Sequence, residues 1–483
     1  MASTVLKAGT VTLLVVLAAM VLQRRSEQQL TERLETVLTS LLLAEHKIKT
    51  TTGEPRRVAV GLGSCLDAVT TSKELFYKVA IEPPDEEKAK HHDSIKSSKD
   101  LAESFALFFS YGAAAERYVH DKMLFKRLVA AAHDLPETNW VLGGNAAVIA
   151  NRMTMEGCKC LLGSVMSKST IKEMQLGIIV TNVAPEDDES AEDIHLIMEY
   201  KRGESWGDFT APRANRFIVH SDTSNPLLSS LETFQERLKA FNPHAVVIGG
   251  LQMMDNFPFK GDERSQRLKL LNRMLTEDIS RDTPIHFEFA SFAEVATAID
   301  VMDNVVYYAD SLGMNEQELP NLYNLLYYGN ISVISDPYPR VATVLDQMRS
   351  IYRTLRKTSD KRKRALTRLH VHTLAFQAIL TTRNSHWKNT MSAAAKASLT
   401  AHRHVCGSTG VDIAKSRLIM DESFSLSRKK DSQRVSFENN RPVSCWNEDD
   451  YEICIAPVLV CTEVFKTAGG GDNISAAALA VQI

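Results

Sequence analysis

The sequence predicts an α/β fold: a mostly parallel central sheet with helices on both faces, accompanied by a smaller α+β lid. Three observations predict it. Short apolar, β-branched runs recur from Arg57 onward, at "RVAVGLG", "CKCLLGSVM", "LGIIVTNV", "HAVVIGG", "IHFEFA" and "NVVYYAD". Helix-length amphipathic stretches separate them, and unbroken apolar strands alternating with helices mark a parallel sheet buried on both faces. Two stretches break the rhythm. Residues 67–125 are polar and helix-rich, and "DIHLIMEYKRGESWGDFTAPRANRFIVHSD" reads as antiparallel hairpins, which places the lid at about 67–125 and 186–222. With 483 residues, 44% of them hydrophobic and 24% charged, the chain can bury a sizeable core. A net charge of −3 gives no pull toward nucleic acid.

The elements before Arg57 are of another kind. Lys7 precedes the apolar run "AGTVTLLVVLAAMVLQ", which ends at Arg24-Arg25. That run is long for a signal-peptide core and short for a membrane span, and no small-x-small cleavage site follows it. Residues 1–25 are therefore expected to be a signal peptide or membrane anchor. The expected location is the secretory pathway, in the lumen or membrane of the endoplasmic reticulum or by secretion. Residues 26–55 read as an amphipathic helix, with Leu30, Leu34, Val37, Leu38 and Leu41 on one face, followed by a linker. The globular domain then occupies 56–483. Seven cysteines in a secretory chain permit disulfides, and the late cluster of Cys406, Cys445, Cys454 and Cys461 is the place to expect them. Cys158 and Cys160 alternate along a strand without the second ligand pair a zinc site needs.

In parallel α/β sheets ligands bind beyond the carboxyl ends of the strands, so the segments that follow each strand carry the chemistry. "KTAGGGDNIS" brings Gly469, Gly470 and Gly471 into a helix start, and backbone N–H groups there form an anion-binding concavity. Asp472 at its mouth repels a phosphate unless it accepts a proton from an attacking hydroxyl; it also fits a plain helix N-cap. In "HFEFAS", His286 and Glu288 share one face of a buried strand, and a buried Glu needs a partner, either an ion pair or a metal. In "SLGMNEQEL", Asn315 and Glu318 have the spacing of a capping box, yet opposite Glu288 the Glu318 carboxylate would double the acidic density at one sheet edge, and Mg²⁺ prefers one or two carboxylates with waters and substrate phosphates. "WVLGGNAAV" offers Gly144 for close approach and Asn145 as both donor and acceptor to a hydroxyl. Asp67 and Glu116 are acids that flank the lid, suited to a sugar hydroxyl or to a surface ion pair.

Together, "GAAAER", "GGNAA", "PRANRFI", "HFEFAS", "SLGMNEQEL", "RLHVHTL", "APVLVC" and "GGGDNIS" resemble, in order, the ADP-dependent glucokinase and phosphofructokinase family in its animal glucokinase branch. That family belongs to the ribokinase-like superfamily. The resemblance implies Asp472 as catalytic base and metal neighbour, and Gly469, Gly470 and Gly471 as the anion hole with Arg216 clamping donor phosphates. It implies Glu288 and Glu318 on Mg²⁺, and Asp67, Glu116, Gly144 and Asn145 on glucose. His370 and His372 lie near the nucleotide as support, and Val458 to Val460 on its adenine side. ADP as donor follows from the resemblance alone, as do D-glucose as acceptor and a monomeric state. Gly63 stands where relatives carry an Asn, so one sugar hydrogen bond is lost or rerouted. An ATP-using sugar or nucleoside kinase, or a membrane-tethered pseudokinase, are the alternatives. A glycan at the Asn473-Ile474-Ser475 triplet would block the glycine bend, so Asn473 is expected to stay bare.

Overall fold

The computed structural model describes residues 2–47, 54–184, 192–332, 336–357, 360 and 362–483. The sequence runs that are apolar on every residue become the middle of a ten-stranded sheet. Its parallel part runs in the order Ile179–Val183, Lys159–Met166, Arg57–Gly61, Ala245–Ile248, Ile285–Glu288, Ser311–Asn315, Arg368–His372. Phe376–Thr382, Tyr451–Pro457 and Ser444–Glu448 continue it antiparallel.

Alternation sorts the strand side chains between two layers. On one face Ala59, Val246, Ile248, Ile285, Phe287, Leu312, Met314 and Leu369 pack against helices that contribute Phe234, Leu271, Val301 and Leu345. On the other, Val58, Val60, Leu162 and Val247 pack beneath Ala146, Ala150, Ala476 and Leu479 of the Asn145–Met155 and Gly470–Gln482 helices. Farther along that second face the strands turn polar: His286, Glu288, Ser311, Arg368, His370 and His372 are all buried. This is the seam that leads into the site.

One expected strand is displaced. "NVVYYAD" is not extended: Asn304 ends a helix, and Val306–Tyr308 forms a 3-10 turn. The strand is instead Ser311–Asn315. Val305, Val306 and Tyr308 are buried at the helix end, so burial satisfied them without a strand, overriding their β-propensity.

The smaller sheet has five strands, Ala115–Tyr118, Asn215–His220, Ile194–Tyr200, Cys65–Thr71 and Asn139–Gly143. It therefore takes in the stretch up to Gly143. Its helices bury an aromatic core of Phe76, Phe105, Phe109, Tyr200, Trp206 and Phe217. The hairpin expected around Ser205–Thr210 is present, and the lid segment 185–191 lies outside the described residues. The charged stretch 415–440 holds a small two-stranded ribbon, Ser423–Ser425 with Arg434–Ser436.

The N-terminal segment is one helix, Ala2–His46, with no boundary at residue 25. No glycine or proline lies between Thr10 and Thr52, and Arg24-Arg25 continue it as readily as the apolar run does. Among the described residues no helix is long and apolar enough to cross a membrane, so the expected membrane association finds no spanning segment. Leu34, Val37 and Leu41 dock on the Thr390–Val405 helix, and Glu45 pairs with Lys396 and Arg403. The expected linker falls largely at 48–53, outside the described residues. Disulfides join Cys406 to Cys461 and Cys445 to Cys454, within the late cluster; Cys65, Cys158 and Cys160 are free and buried.

Candidate functional site

A cavity of about 720 Å³ lies between the two sheets at the carboxyl ends of the parallel strands. Gly469 begins its floor with φ +67°, and the last helix starts at Gly470. The Gly470 N–H is directed to Thr467 O and that of Asn473 to Gly469 O. Gly471 and Asp472, in the first turn, line the cavity, where a helix has N–H groups without intrahelical partners. A side chain at Gly471 would place its Cβ 2.8 Å from His372 Nε2, so the bend needs glycine there to pack on the sheet. Asn473 donates its side-chain amide to Gly469 O at 2.9 Å and is committed to the bend.

Asp472 is half-buried, and the desolvation there with the charge of Glu288 pushes its pKa up to about 7, against the Asn145 hydrogen bond and the Arg216 charge. Asn145 Nδ2 donates to Asp472 Oδ1 at 2.9 Å. A relay continues from there: Gln252 Nε2 donates to Asn145 Oδ1 at 2.9 Å and to Glu116 Oε2 at 3.2 Å. Glu116 lies 3.4 Å from His195, which is 2.9 Å from the buried Asp222. Against burial, Asp222 and Glu116 push His195 up to about 10, so it stands as a cation under the lid wall. Asp67 is pushed up to about 6 by burial. The Gly143 Cβ position is 1.9 Å from Asp67 Oδ1, so glycine there makes room for that carboxyl. Gly144, with φ +79°, passes within 2.6 Å of Ser64 Cα at its own Cβ position. At Gly63 the neighbouring backbone is held by Asn225, whose Oδ1 accepts from Ser64 N and whose Nδ2 donates to Ser64 O.

Glu288 is gripped from two sides, 2.9 Å from His286 Nε2 and 2.8 Å from the Ser475 hydroxyl. His286 in turn meets Ser311, which accepts from Arg368, which donates to Gln482. Burial holds Glu288 up at about 7. Glu318 makes the capping box its spacing suggested: Asn315 N and Nδ2 donate to its carboxylate at 2.8 and 2.9 Å, while its own N–H donates to Asn315 Oδ1. Burial and the charges of Glu288 and Asp472 raise its pKa well above the usual range, against the Asn315 N–H. Glu288, Glu318 and Asp472, all with raised pKa, are a donor set of hard oxygens, which fits a divalent cation shared with phosphate. They are not a closed cage: the groups whose ligand atoms lie within 4.8 Å of one another include none of the three.

The other sequence candidates divide. Arg216 lines the cavity, its Nε buried without a partner, and its charge reaches Asp472 and Asp67. Val458 and Val460 line the cavity, as do the apolar Ala401, Val405 and Ile474. His370 does not line the cavity. It is fully buried on Gln377 at 3.1 Å, one pleat deeper than His372, which does. Sequence reasoning missed Gln252, Arg213 and Glu316. Gln252 follows a strand's Gly249-Gly250, a place where the rule of strand ends points; Arg213 and Glu316 close the lid on the sheet by an ion pair at 3.5 Å.

A two-domain α/β molecule with a helix-start glycine bend, one acid facing it and a lid over the cleft is a phosphotransferase of the sugar-kinase kind. The family model described as the ADP-specific phosphofructokinase/glucokinase conserved region matches residues 56–481. The chain belongs to that family, and it is a kinase with the ribokinase-like α/β fold. It is 34% identical to the ADP-dependent glucokinase of Bos taurus over 429 residues, covering 88% of this chain and 84% of that protein. It is 29% identical to a probable ADP-dependent glucokinase of Caenorhabditis elegans over 81% of this chain and 78% of that protein. Among solved structures, a hypothetical ADP-dependent phosphofructokinase from Pyrococcus horikoshii superposes with a TM-score of 0.58 at 18% identity. That match covers 89% of this chain and 98% of the other.

Proposed function

We propose that the chain transfers the terminal phosphoryl group of ADP to the 6-hydroxyl of D-glucose, giving AMP and glucose 6-phosphate, with Mg²⁺ required. The observation that carries this reading is the placement of half-buried Asp472 at the glycine helix start, in a cavity walled by both domains. The likeness to the animal glucokinase selects donor and acceptor.

Asp472, held near neutrality, takes the hydroxyl proton as the oxygen attacks. Asn145 orients that carboxylate, and Gln252 fixes Asn145 while reaching Glu116. Glu116 and Asp67 accept from sugar hydroxyls, with Gly144 allowing close approach. The first-turn amides of Gly471 and Asp472, with Arg216, receive the charge that develops on the phosphoryl oxygens. Glu288 and Glu318, directly or through water, would hold Mg²⁺, which neutralises phosphate charge when bound. Closure of the lid excludes water, so the sugar rather than solvent accepts the group. A donor comparison tests the proposal: purified protein with glucose and ADP or ATP, with and without Mg²⁺, AMP and glucose 6-phosphate being measured. Activity with ATP at the expense of ADP, or Asp472→Asn retaining full rate, would refute it.

We further propose an oxidising compartment of the secretory pathway as the location. Two disulfides in the late cluster support it, because cytosolic thiols are kept reduced.

A further inference from the structure

The peptides that lead into the glycine bend are held from the lid. Glu199 Oε1 accepts from Thr467 N at 2.7 Å, from the Thr467 hydroxyl at 2.9 Å and from Ala468 N at 3.4 Å. Glu199 lies on the lid strand Ile194–Tyr200, directly opposite Arg216 across an antiparallel pair, so both side chains share one face. The carbonyl side of Ala468 is also gripped, since His404 Nε2 meets Ala468 O at 2.8 Å. His404 belongs to the Thr390–Val405 helix of the large domain. The next residue, Gly469, turns left-handed and starts the helix. One carboxylate oxygen therefore takes three donors at the point where the chain enters the anion-binding bend, and it comes from the other domain.

We propose that Glu199 is a positioning residue that couples lid closure to assembly of the anion-binding bend. A carboxylate beside transferring phosphate would repel it, so Glu199 does not serve as a phosphate ligand. Its three bonds instead fix the Thr467–Ala468 peptides, and through Gly469 they aim the Gly471 and Asp472 N–H groups at the phosphoryl group. When the lid swings away, those donors lose their acceptor and the bend loses its orientation. Water then finds no prepared anion hole before glucose has closed the lid. The neighbour across the strand pair, Arg216, is left for the donor phosphates because the loop occupies Glu199. The inference rests on phosphoryl transfer at Asp472.

The full-length chain tests it through Glu199→Ala, Glu199→Gln and Asp472→Asn, assayed for glucose phosphorylation by ADP, with the folded fraction measured by thermal unfolding. Displacement of the bend by about 1 Å predicts a kcat lower by about tenfold to a hundredfold in the Ala variant. The KM for glucose should stay within about threefold, because the sugar contacts are untouched. The Gln variant keeps an oxygen that accepts the same three bonds and should retain most of kcat. The inference is overturned if Glu199→Ala keeps wild-type kcat, if Gln is as impaired as Ala, or if the loss merely follows the unfolded fraction. An inactive Asp472→Asn beside a fully active Glu199→Ala overturns this inference alone. An active Asp472→Asn overturns the reaction assignment and this inference with it.

Discussion

Gly313 faces the Glu288 carboxylate so closely that one methyl group should dismantle the acid pair. A Cβ at Gly313 would stand 2.0 Å from Glu288 Oε2, 2.9 Å from its Cδ and 3.0 Å from Ser475 Oγ. Ordinary contact needs about 3.5 Å, so the carboxylate must retreat by about 1.5 Å. It cannot swing into water, because Glu288 is only 3% exposed. It loses instead the bonds to His286 and Ser475. Hydrogen bonds to a charged group contribute about 1.5–3 kcal/mol each, and relaxation recovers part, so Gly313→Ala should cost about 3 kcal/mol of stability. Displacement of about 1 Å at a reacting centre lowers turnover about a hundredfold. The assay pairs urea denaturation with kcat as a function of Mg²⁺ concentration, and the half-saturating Mg²⁺ should rise as kcat falls. Gly410→Ala is the control, since nothing lies within 4 Å of its Cβ position and its φ is not positive. If Gly313→Ala binds Mg²⁺ and turns over as wild type does, the assignment of Glu288 to the metal is wrong.

Asp472→Asn keeps the Asn145 contact but cannot take the proton. Steady-state assays should find kcat lower by about a hundredfold to ten-thousandfold, with the KM for glucose nearly unchanged. Arg216→Ala removes a charge-assisted partner of phosphate and should raise the KM for ADP about tenfold or more. In metal-free protein the folded pKa of Asp472 and Glu288 lies above the ordinary carboxylate value, so the native state keeps protons that the unfolded chain releases as pH rises from about 4 to 7. Stability should therefore fall between about pH 4 and pH 7, each carboxyl contributing at most about 1.4 kcal/mol for every tenfold by which the folded state tightens its hold on the proton. Urea melts with chelator should show that slope, Asp472→Asn should flatten it, and Mg²⁺ with ADP should reverse it.

The legible part of the fold was the part governed by periodicity. Runs such as "HAVVIGG", apolar on every residue, read as central strands, and the end of one such run located Glu288, while the glycines of "GGNAA" and "GGGDNIS" located Asn145 and Asp472, all without knowledge of the pairing. The strand order rests on contacts hundreds of residues apart and has no local signature. "NVVYYAD" misled because β-branched residues also cap and bury a helix end, and the neighbouring "SLGMN", with a glycine under Glu288, looks too weak for a strand. His370 and His372 share a face, so alternation could not tell which reaches the cavity; depth along the strand decides it. Glu199 was invisible because an acid on a strand is ordinary until its partner arrives from another domain, and Gln252 had only its place after a strand end to mark it.

Spacing likewise could not decide between capping box and metal ligand for Glu318, and the structure explains why: it makes the box and faces the cavity with the same carboxylate. Asn315 engages both oxygens, yet burial, with the charges of Glu288, Asp472 and Glu316, still raises the Glu318 pKa. Of the cations that line the cavity, Arg213 is already paired with Glu316, while Arg216 has an Nε without a partner. The protein's own groups thus leave the metal side short of positive charge and give the phosphate side a cation with a free donor. A bare phosphate chain relieves only the second imbalance, and a bare cation only the first. The two together would relieve both, and that charge argument is what stands behind the proposed requirement for magnesium with the nucleotide.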